Sequence, residues 1–221
     1  MLKQRIPETN EGIQDALTVE VFNRFARNMR DRGLHNTDVF LKAGIKGESI
    51  LEIGPGPGYV GLELLKALPD TRLTGCEISP EMMKQAEKNA AAYGFANRVR
   101  YVQGNGMRMP FADGAFDAVF SNGSLHEWEE PARVFAEIHR VLRPGGTFCV
   151  CDMRRDIAPL WKWIAYMTAK PKEIRPGFLT SLYAAYTVDE MRALLSRSGL
   201  GYAAVTRDFF GLTVSGTKPV D

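Results

Sequence analysis

The stretch Leu51-Glu-Ile-Gly-Pro-Gly-Pro-Gly-Tyr-Val-Gly61 decides the fold of this chain. A short apolar run leads into four glycines and two prolines, and apolar residues then recur at Val60, Leu64 and Leu68. This order predicts a buried strand, a tight turn and a helix. In open α/β sheets the ligand lies beside such a turn, beyond the carboxyl ends of the strands.

Strands and helices alternate along the chain. Apolar runs predict strands at about 49–53, 72–77, 99–103, 116–121 and 147–152, with helices behind Ser79-Pro80 and behind Pro131, the latter closed by Pro144-Gly-Gly146. The alternation predicts an α/β, Rossmann-like, doubly wound and mostly parallel sheet. Two last runs, 202–209 and 212–217, bring the sheet to seven strands. Their connection is too short for a parallel crossover, so they predict an antiparallel C-terminal hairpin or strands that sit apart.

We expect one domain over residues 1–221, because 221 residues with 45% apolar content can bury a full core. Its expected parts are an N-terminal helical cover (1–44), a core of alternating strands and helices (45–152), an insertion (153–186), and a final helix and hairpin (187–221). The formal charge of +2 gives no general argument for nucleic acid or membrane. The sequence shows no apolar signal-peptide core or membrane span, and its three cysteines sit in apolar runs. It therefore favours a cytoplasmic protein with no membrane partner.

The glycine turn also satisfies the G-x-G-x-x-G pattern, so an NAD(P)-dependent oxidoreductase is an alternative. Two features weigh against a pyrophosphate. Pro55 and Pro57 have no N–H to donate, and the Glu52 carboxylate would repel phosphate but favour an ammonium group. Glu77 ends the second predicted strand, 23 residues after Gly54, where an acidic side chain accepts hydrogen bonds from both ribose hydroxyls.

Five segments resemble, in order and spacing, the motifs of class I S-adenosylmethionine-dependent methyltransferases, in particular the small-molecule branch. They are Glu52–Gly58, Glu77–Pro80, Met109–Asp113, Phe116–Asn122 and Val141–Gly146. The resemblance covers roughly residues 48–152 and implies S-adenosyl-L-methionine as donor and S-adenosyl-L-homocysteine as product. It does not identify an acceptor.

The resemblance also implies the cofactor contacts. Glu77 would bind the ribose, Ile78 would flank the adenine, and Asn105 would accept from the adenine amino group where the family usually has Asp. The complete predicted cofactor site is Glu52, Gly54, Pro55, Gly56, Gly58, Tyr59, Glu77, Ile78, Asn105, Gly106, Met107, Ser121 and Asn122.

Methyl transfer from a sulfonium is a direct displacement, which needs alignment and exclusion of water, whereas a general base is optional. His126 follows the fourth predicted strand, at the edge of the sheet where the methyl group should lie. Its ordinary pKa near 6.5 suits proton removal near neutrality. We therefore name His126 as the catalytic candidate; the alternative is that it only lines the pocket.

An insertion from Met153 to Arg175 carries six basic and two acidic residues, interleaved with aromatic ones. The resemblance implies that it roofs the acceptor pocket together with the N-terminal helix; the alternative is that its aromatic residues pack the lid onto the sheet. The acceptor-site candidates are Phe22, Phe25, Met29, His126, Arg154, Trp161, Tyr166, Tyr183 and Tyr186. A small anionic acceptor, steered by Arg154, Arg155 or Arg175, explains these charges more simply than RNA binding does. The remaining alternative is a cofactor-binding or RNA-interacting protein without small-molecule turnover. We predict no metal site.

Overall fold

A computed structural model describes residues 4–8, 12–198 and 200–220. Seven strands form one sheet in the order β3-β2-β1-β4-β5-β7-β6. The strands are β1 (Ser49–Ile53), β2 (Arg72–Glu77), β3 (Val99–Gln103), β4 (Phe116–Asn122), β5 (Leu142–Met153), β6 (Ala204–Arg207) and β7 (Gly211–Thr217). The strands β1 to β5 pair in parallel, and β7 runs antiparallel to both β5 and β6. The predicted sheet and terminal hairpin are confirmed.

Eight α-helices accompany the sheet within the described residues. They are α1 (Ala16–Asp31), α2 (Thr37–Lys42), α3 (Tyr59–Ala67), α4 (Pro80–Ala92), α5 (Pro131–Val141), α6 (Pro159–Thr168), α7 (Arg175–Ala184) and α8 (Val188–Arg197). The Ser79 side chain accepts from the backbone N–H of Met82 and so caps α4. Thr187 and Glu190 form a capping box at the start of α8, as their spacing predicts.

The segment Pro144–Gly146 lies inside β5, and the expectation that it closes the preceding helix is wrong. Helix α5 ends at Val141, and the next residue, Leu142, already pairs with Phe116. The register then shifts, and regular pairing with β4 resumes at Thr147. A Pro-Gly-Gly sequence therefore forms an irregularity within one long strand, because both flanks of the segment find partners on β4.

The sheet is covered on both faces. Neighbouring residues of β1 point to opposite sides, so Ile50 packs into a cluster with α2 and α3 while Leu51 packs into a cluster with α5 and α8. The three cysteines, Cys76, Cys149 and Cys151, are buried and free, in agreement with their assignment to the core. Two covered faces leave the carboxyl ends of the parallel strands as the edge where a site can form.

Candidate active site

The glycine loop joins β1 to α3. Gly54, Gly56 and Gly58 all have positive φ, at 63°, 54° and 81°, a conformation that side chains rarely adopt. A Cβ at Gly58 would lie 2.4 Å from the Tyr101 hydroxyl, so this part of the loop lies directly against β3. Among the described residues, a Cβ at Gly56 would meet only Phe22 of α1, at 3.5 Å. The loop is therefore held closely at Gly58 and roofed by an acceptor-site candidate at Gly56.

Glu77 ends β2 beside this loop. Its carboxylate accepts hydrogen bonds from the backbone N–H groups of Gly56 and Ser79, both at 3.0 Å. Burial raises the pKa of Glu77, although these two N–H donors oppose the shift. The carboxylate stands where the sequence expects a ribose, and its free lone pairs can accept from hydroxyl groups.

Glu52 lies beneath the loop. Only 1% of its surface is exposed, and its Oε2 atom has no hydrogen-bond partner among the described residues. Burial, together with the nearby Glu77 charge, raises the pKa of Glu52 well above its ordinary value. A Cβ at Gly61 would lie 2.3 Å from Oε2, so the carboxyl group is pressed against the start of α3. The predicted contact with an ammonium group stays a prediction, and the unpaired buried oxygen is the feature that supports it.

The predicted adenine contacts lie in the turn after β3. The Asn105 side-chain oxygen accepts from the Met107 N–H at 2.8 Å and keeps a second lone pair for a ligand. A Cβ at Gly106 would meet core side chains at 3.4 Å. Ile78, the predicted flank of the adenine, lies close to Gly12, where a Cβ atom would come within 2.8 Å of the Ile78 side chain.

Ser121 and Asn122, at the end of β4, hold protein elements together. Ser121 is fully buried and donates to the Ile53 carbonyl at 2.7 Å, and its hydroxyl lies 2.7 Å from that of Ser124. Asn122 accepts from Asn36 at 2.8 Å. Their contact with the cofactor stays a prediction.

Helix α1 is fastened over the glycine loop by polar residues that the sequence reading missed. Asn89 of α4 donates both to the Pro57 carbonyl, at 2.8 Å, and to the buried Asn23 of α1, at 3.1 Å. Arg30 of α1 stacks on the Tyr59 ring at 4.8 Å. The Tyr59 side chain thus packs against α1, and its predicted contact with the cofactor stays a prediction.

His126 lies in a single 3-10 turn, Leu125–Glu127, directly after β4, and is 4% exposed. Its Nδ1 is 2.9 Å from a carboxylate oxygen of Asp152, at the end of the neighbouring strand β5. The same carboxylate accepts the His126 backbone N–H at 2.7 Å. Asp152 therefore fixes the ring so that Nε2 faces away from β5.

Carboxylates surround the Nε2 side of the ring. The Nε2 atom is 3.6 Å from a Glu8 oxygen and 3.9 Å from a Glu127 oxygen. Burial alone favours the neutral ring, but Asp152, Glu127 and Glu8 together raise the pKa of His126 to about 9. Partial burial of the Glu127 side chain, with the charges of Glu8, Glu77 and Asp152, raises the pKa of Glu127. The catalytic role of His126 stays a prediction.

The N-terminal segment 4–8 packs beside His126 and helix α7, where the side chains of Glu8, His126 and Glu127 form the cleft discussed below. Arg5 donates to the carbonyls of Ala184, at 2.5 Å, and His126, at 3.1 Å, and its guanidinium stacks on Tyr186 at 4.1 Å. The Ile6 N–H donates to the Tyr183 carbonyl at 3.1 Å. Tyr186 is thus linked to His126 through Arg5, whereas Tyr183 contacts this segment through its backbone carbonyl and its ring lies 3.9 Å from the Lys162 ammonium group.

The other acceptor-site candidates occupy different surroundings. Trp161 packs edge-on against Phe209 at 4.4 Å and remains 38% exposed, which places it at the turn between β6 and β7. Tyr166 packs under the Arg175 guanidinium at 5.4 Å. Phe25 stacks on Phe22 at 5.9 Å along α1, where Met29 also lies half-buried.

The three arginines expected to steer an anion all have partners within the protein. Arg154 pairs with Asp156 at 3.1 Å. Arg155 is buried, pairs with Glu190 at 2.5 Å, and donates to the Ala185 carbonyl. Arg175 donates to the Met167 carbonyl at 2.6 Å. These partners remove most of the support for the anionic steering expected from the sequence.

Comparisons with known proteins agree with this geometry. Residues 51–150 match the family model described as a methyltransferase domain. The chain is 30% identical over 118 residues to the ubiquinone/menaquinone biosynthesis C-methyltransferase of Paracoccus denitrificans, covering 53% of this chain and 47% of that protein. It is 32% identical over 157 residues to the arsenite methyltransferase of Halobacterium salinarum, covering 69% of this chain and 37% of that protein. The chain thus matches less than half the length of these two relatives.

Solved structures share the fold. A SAM dependent methyltransferase from Aquifex aeolicus superposes with a TM-score of 0.69 at 19% identity, covering 93% of this chain and all of that one. The [4+2]-cyclase SpnF superposes with a TM-score of 0.66 at 18% identity, covering 99% of this chain and 100% of that one. Residues 51–150 thus match a methyltransferase domain, and the sheet order and the glycine loop agree with the predicted class I S-adenosylmethionine-dependent methyltransferase fold. Among the described residues, no helix has the length and apolar character needed to cross a membrane.

Proposed function

We propose that the protein is an S-adenosylmethionine-dependent methyltransferase that transfers the methyl group directly to a small-molecule acceptor. The observation that carries the proposal is the Glu77 carboxylate at the end of β2, bonded to the N–H of Gly56 in a loop that contains two prolines. A carboxylate in this place suits a ribose, and a loop with few N–H donors suits an amino-acid tail better than linked phosphates.

The residues present fit this cofactor. Glu77 and the glycine loop would hold the ribose and the methionine part, the buried unpaired Glu52 oxygen would accept from the ammonium group, and Asn105 would accept from the adenine. When bound, the cofactor supplies an activated methyl group. The protein's own contribution is alignment and exclusion of water, which can together supply about 7–11 kcal/mol of the barrier.

The acceptor belongs, in this proposal, at the cleft beside His126. Glu8, Glu127 and Asp152 place three carboxylates around the His126 ring, against which Arg5 and His126 are the positive groups identified above. We therefore favour an uncharged acceptor that bears polar oxygens over the anionic acceptor suggested by the basic insertion. His126 would orient the acceptor in the donor's reach, because Asp152 fixes its ring.

Isothermal titration calorimetry with S-adenosylmethionine, S-adenosylhomocysteine, NAD and NADP tests the donor. We expect the first two to bind and Glu77→Gln to weaken them about tenfold or more, the effect of losing charged hydrogen bonds. Glu48→Gln is the matched control, because Glu48 is exposed and lies before the opposite end of β1. Binding of NAD or NADP alone, or unchanged affinity in Glu77→Gln, would contradict the proposal.

The acceptor site is tested by transfer of a radiolabelled methyl group to pooled metabolites, followed by fractionation. Once an acceptor is found, His126→Ala should lower turnover at least tenfold while the donor's dissociation constant stays unchanged. Equal turnover in the variant and the wild type would remove His126 from the proposed site.

A further inference from the structure

The three side chains that meet in the cleft beside His126 have the composition of a metal-ion site. The atoms that Glu8, His126 and Glu127 offer all lie within 4.8 Å of one another. The shortest separations are those from Nε2 to the two carboxylates, at 3.6 Å and 3.9 Å. Two ligands bonded at about 2.1 Å to a common ion in tetrahedral geometry stand about 3.4 Å apart. Small side-chain rotations would therefore bring this cluster to bonding distances.

The histidine is oriented as metal-binding histidines are. Ligating histidines almost always donate their other ring nitrogen to a carboxylate or carbonyl, which fixes the tautomer and the ring plane. Here a carboxylate oxygen of Asp152 lies 2.9 Å from Nδ1 of His126, and the same carboxylate accepts the backbone N–H of His126. Nε2 belongs to a ring that is only 4% exposed, and it has no hydrogen bond of 3.5 Å or less within the described residues. A buried nitrogen directed at two carboxylates is the second observation that points to a ligand.

The two carboxylates differ in how they are held. Ser181 of α7 donates to both Glu8 oxygens, at 3.4 Å and 3.3 Å. Glu127 makes no side-chain hydrogen bond within the described part of the chain, and 39% of its side-chain surface is exposed. Glu127 is therefore the ligand with the most freedom to close on an ion.

The electrostatic balance of the cleft favours a cation. The Glu8 and Glu127 carboxylates lie 3.6 Å and 3.9 Å from Nε2 and within 4.8 Å of each other, so their negative charges repel. The neighbouring Arg5 is already used by two carbonyls and the Tyr186 ring. A divalent ion among these oxygens would relieve the repulsion, and one imidazole with two carboxylates suits first-row divalent metals.

We propose that Glu8, His126 and Glu127 form a binding site for a first-row divalent cation, Mn²⁺ or Zn²⁺, with Asp152 and Ser181 as positioning residues. Three protein ligands leave coordination positions open, as in catalytic rather than structural metal sites. If the proposed function holds, the open positions would take an oxygen atom of the acceptor. Binding of the ion itself does not depend on that function.

Mn²⁺ is the probe of choice, because it is paramagnetic and the buried thiols of the chain are poor ligands for it. The full chain, freed of metal by a chelator, is titrated with Mn²⁺ while the electron paramagnetic resonance signal of the free ion is recorded. We expect one ion bound per chain, displaced by Zn²⁺, with nitrogen coupling in the pulsed spectrum from the imidazole.

Glu8→Gln and Glu127→Gln should each weaken Mn²⁺ binding about tenfold or more. Glu130→Gln is the matched control, because Glu130 is an exposed carboxylate of the same loop that pairs with Arg133. Melting temperatures show that the variants are folded, and Glu127, being partly exposed, is the safer substitution. Absence of stoichiometric binding, no nitrogen coupling, or equal weakening by Glu130→Gln would overturn the proposal. Since the titration contains no methyl donor, its failure is distinct from failure of the proposed function.

Discussion

Gly58 is the position where the glycine loop tolerates least change. Its φ is 81°, and a Cβ there would lie 2.4 Å from the Tyr101 hydroxyl oxygen, with the next neighbours at 3.4 Å. Gly58→Ala should cost about 1–2 kcal/mol for the left-handed backbone and a further 1–3 kcal/mol, roughly, for the overlap. Tyr101→Phe removes the offending oxygen, which is buried and has no partner among the described residues. In that background Gly58→Ala should cost only the backbone part.

Urea denaturation of the two single variants, the double variant and the wild type gives the coupling energy between the two positions. Gly94→Ala calibrates the backbone part, because Gly94 has a φ of 74° and its Cβ would meet nothing within 4 Å. We expect coupling of about 1–3 kcal/mol, the size of the overlap. Additive effects, or a cost for Gly58→Ala no larger than that for Gly94→Ala, would refute the steric argument.

Two further predictions concern buried charge. The raised pKa of Glu52 means that the protein keeps its full stability below the unfolded value of about 4.5 and loses part of it as pH rises through the folded value. Glu52→Gln should therefore gain unfolding free energy relative to wild type as pH increases, and parallel pH profiles in urea denaturation would contradict this. Arg155→Ala should cost about 2–3 kcal/mol by the same assay, because it removes the donor to the Ala185 carbonyl and the ion-pair partner of Glu190. Arg133, which forms an exposed ion pair with Glu130, supplies the control, and Arg133→Ala should cost less than about 1 kcal/mol. Equal losses of unfolding free energy in the two variants would show that burial of Arg155 contributes nothing.

Local sequence determined most of the fold. The bounds of β1, β2 and β3 agree with the apolar runs residue for residue, because polar or glycine-containing turns flank each run. The segment Pro144–Gly146 was misread, because the same residues suit a helix end and a strand irregularity. The outcome depends on the pairing of Leu142 with Phe116, which no local pattern contains.

Some residues of the candidate site could be predicted from where the strands end along the sequence. Glu77 follows from its place after the second strand, and Asp152 could have been paired with His126, because parallel neighbours end at the same sheet edge. Glu8 could not, since it comes from a segment without periodicity far upstream. The number of basic residues in the insertion suggested that it attracts an anion. Composition alone does not show that Arg155 is already paired with Glu190.

The short bonds that tie Ser121 to Ile53 and Ser124 join the turn before His126 to the two central strands. In contrast, Tyr183 and the N-terminal segment belong to parts of the chain outside those strands. Substitutions in the outer parts can therefore remodel the surroundings of His126 while the bonds between the two central strands stay intact.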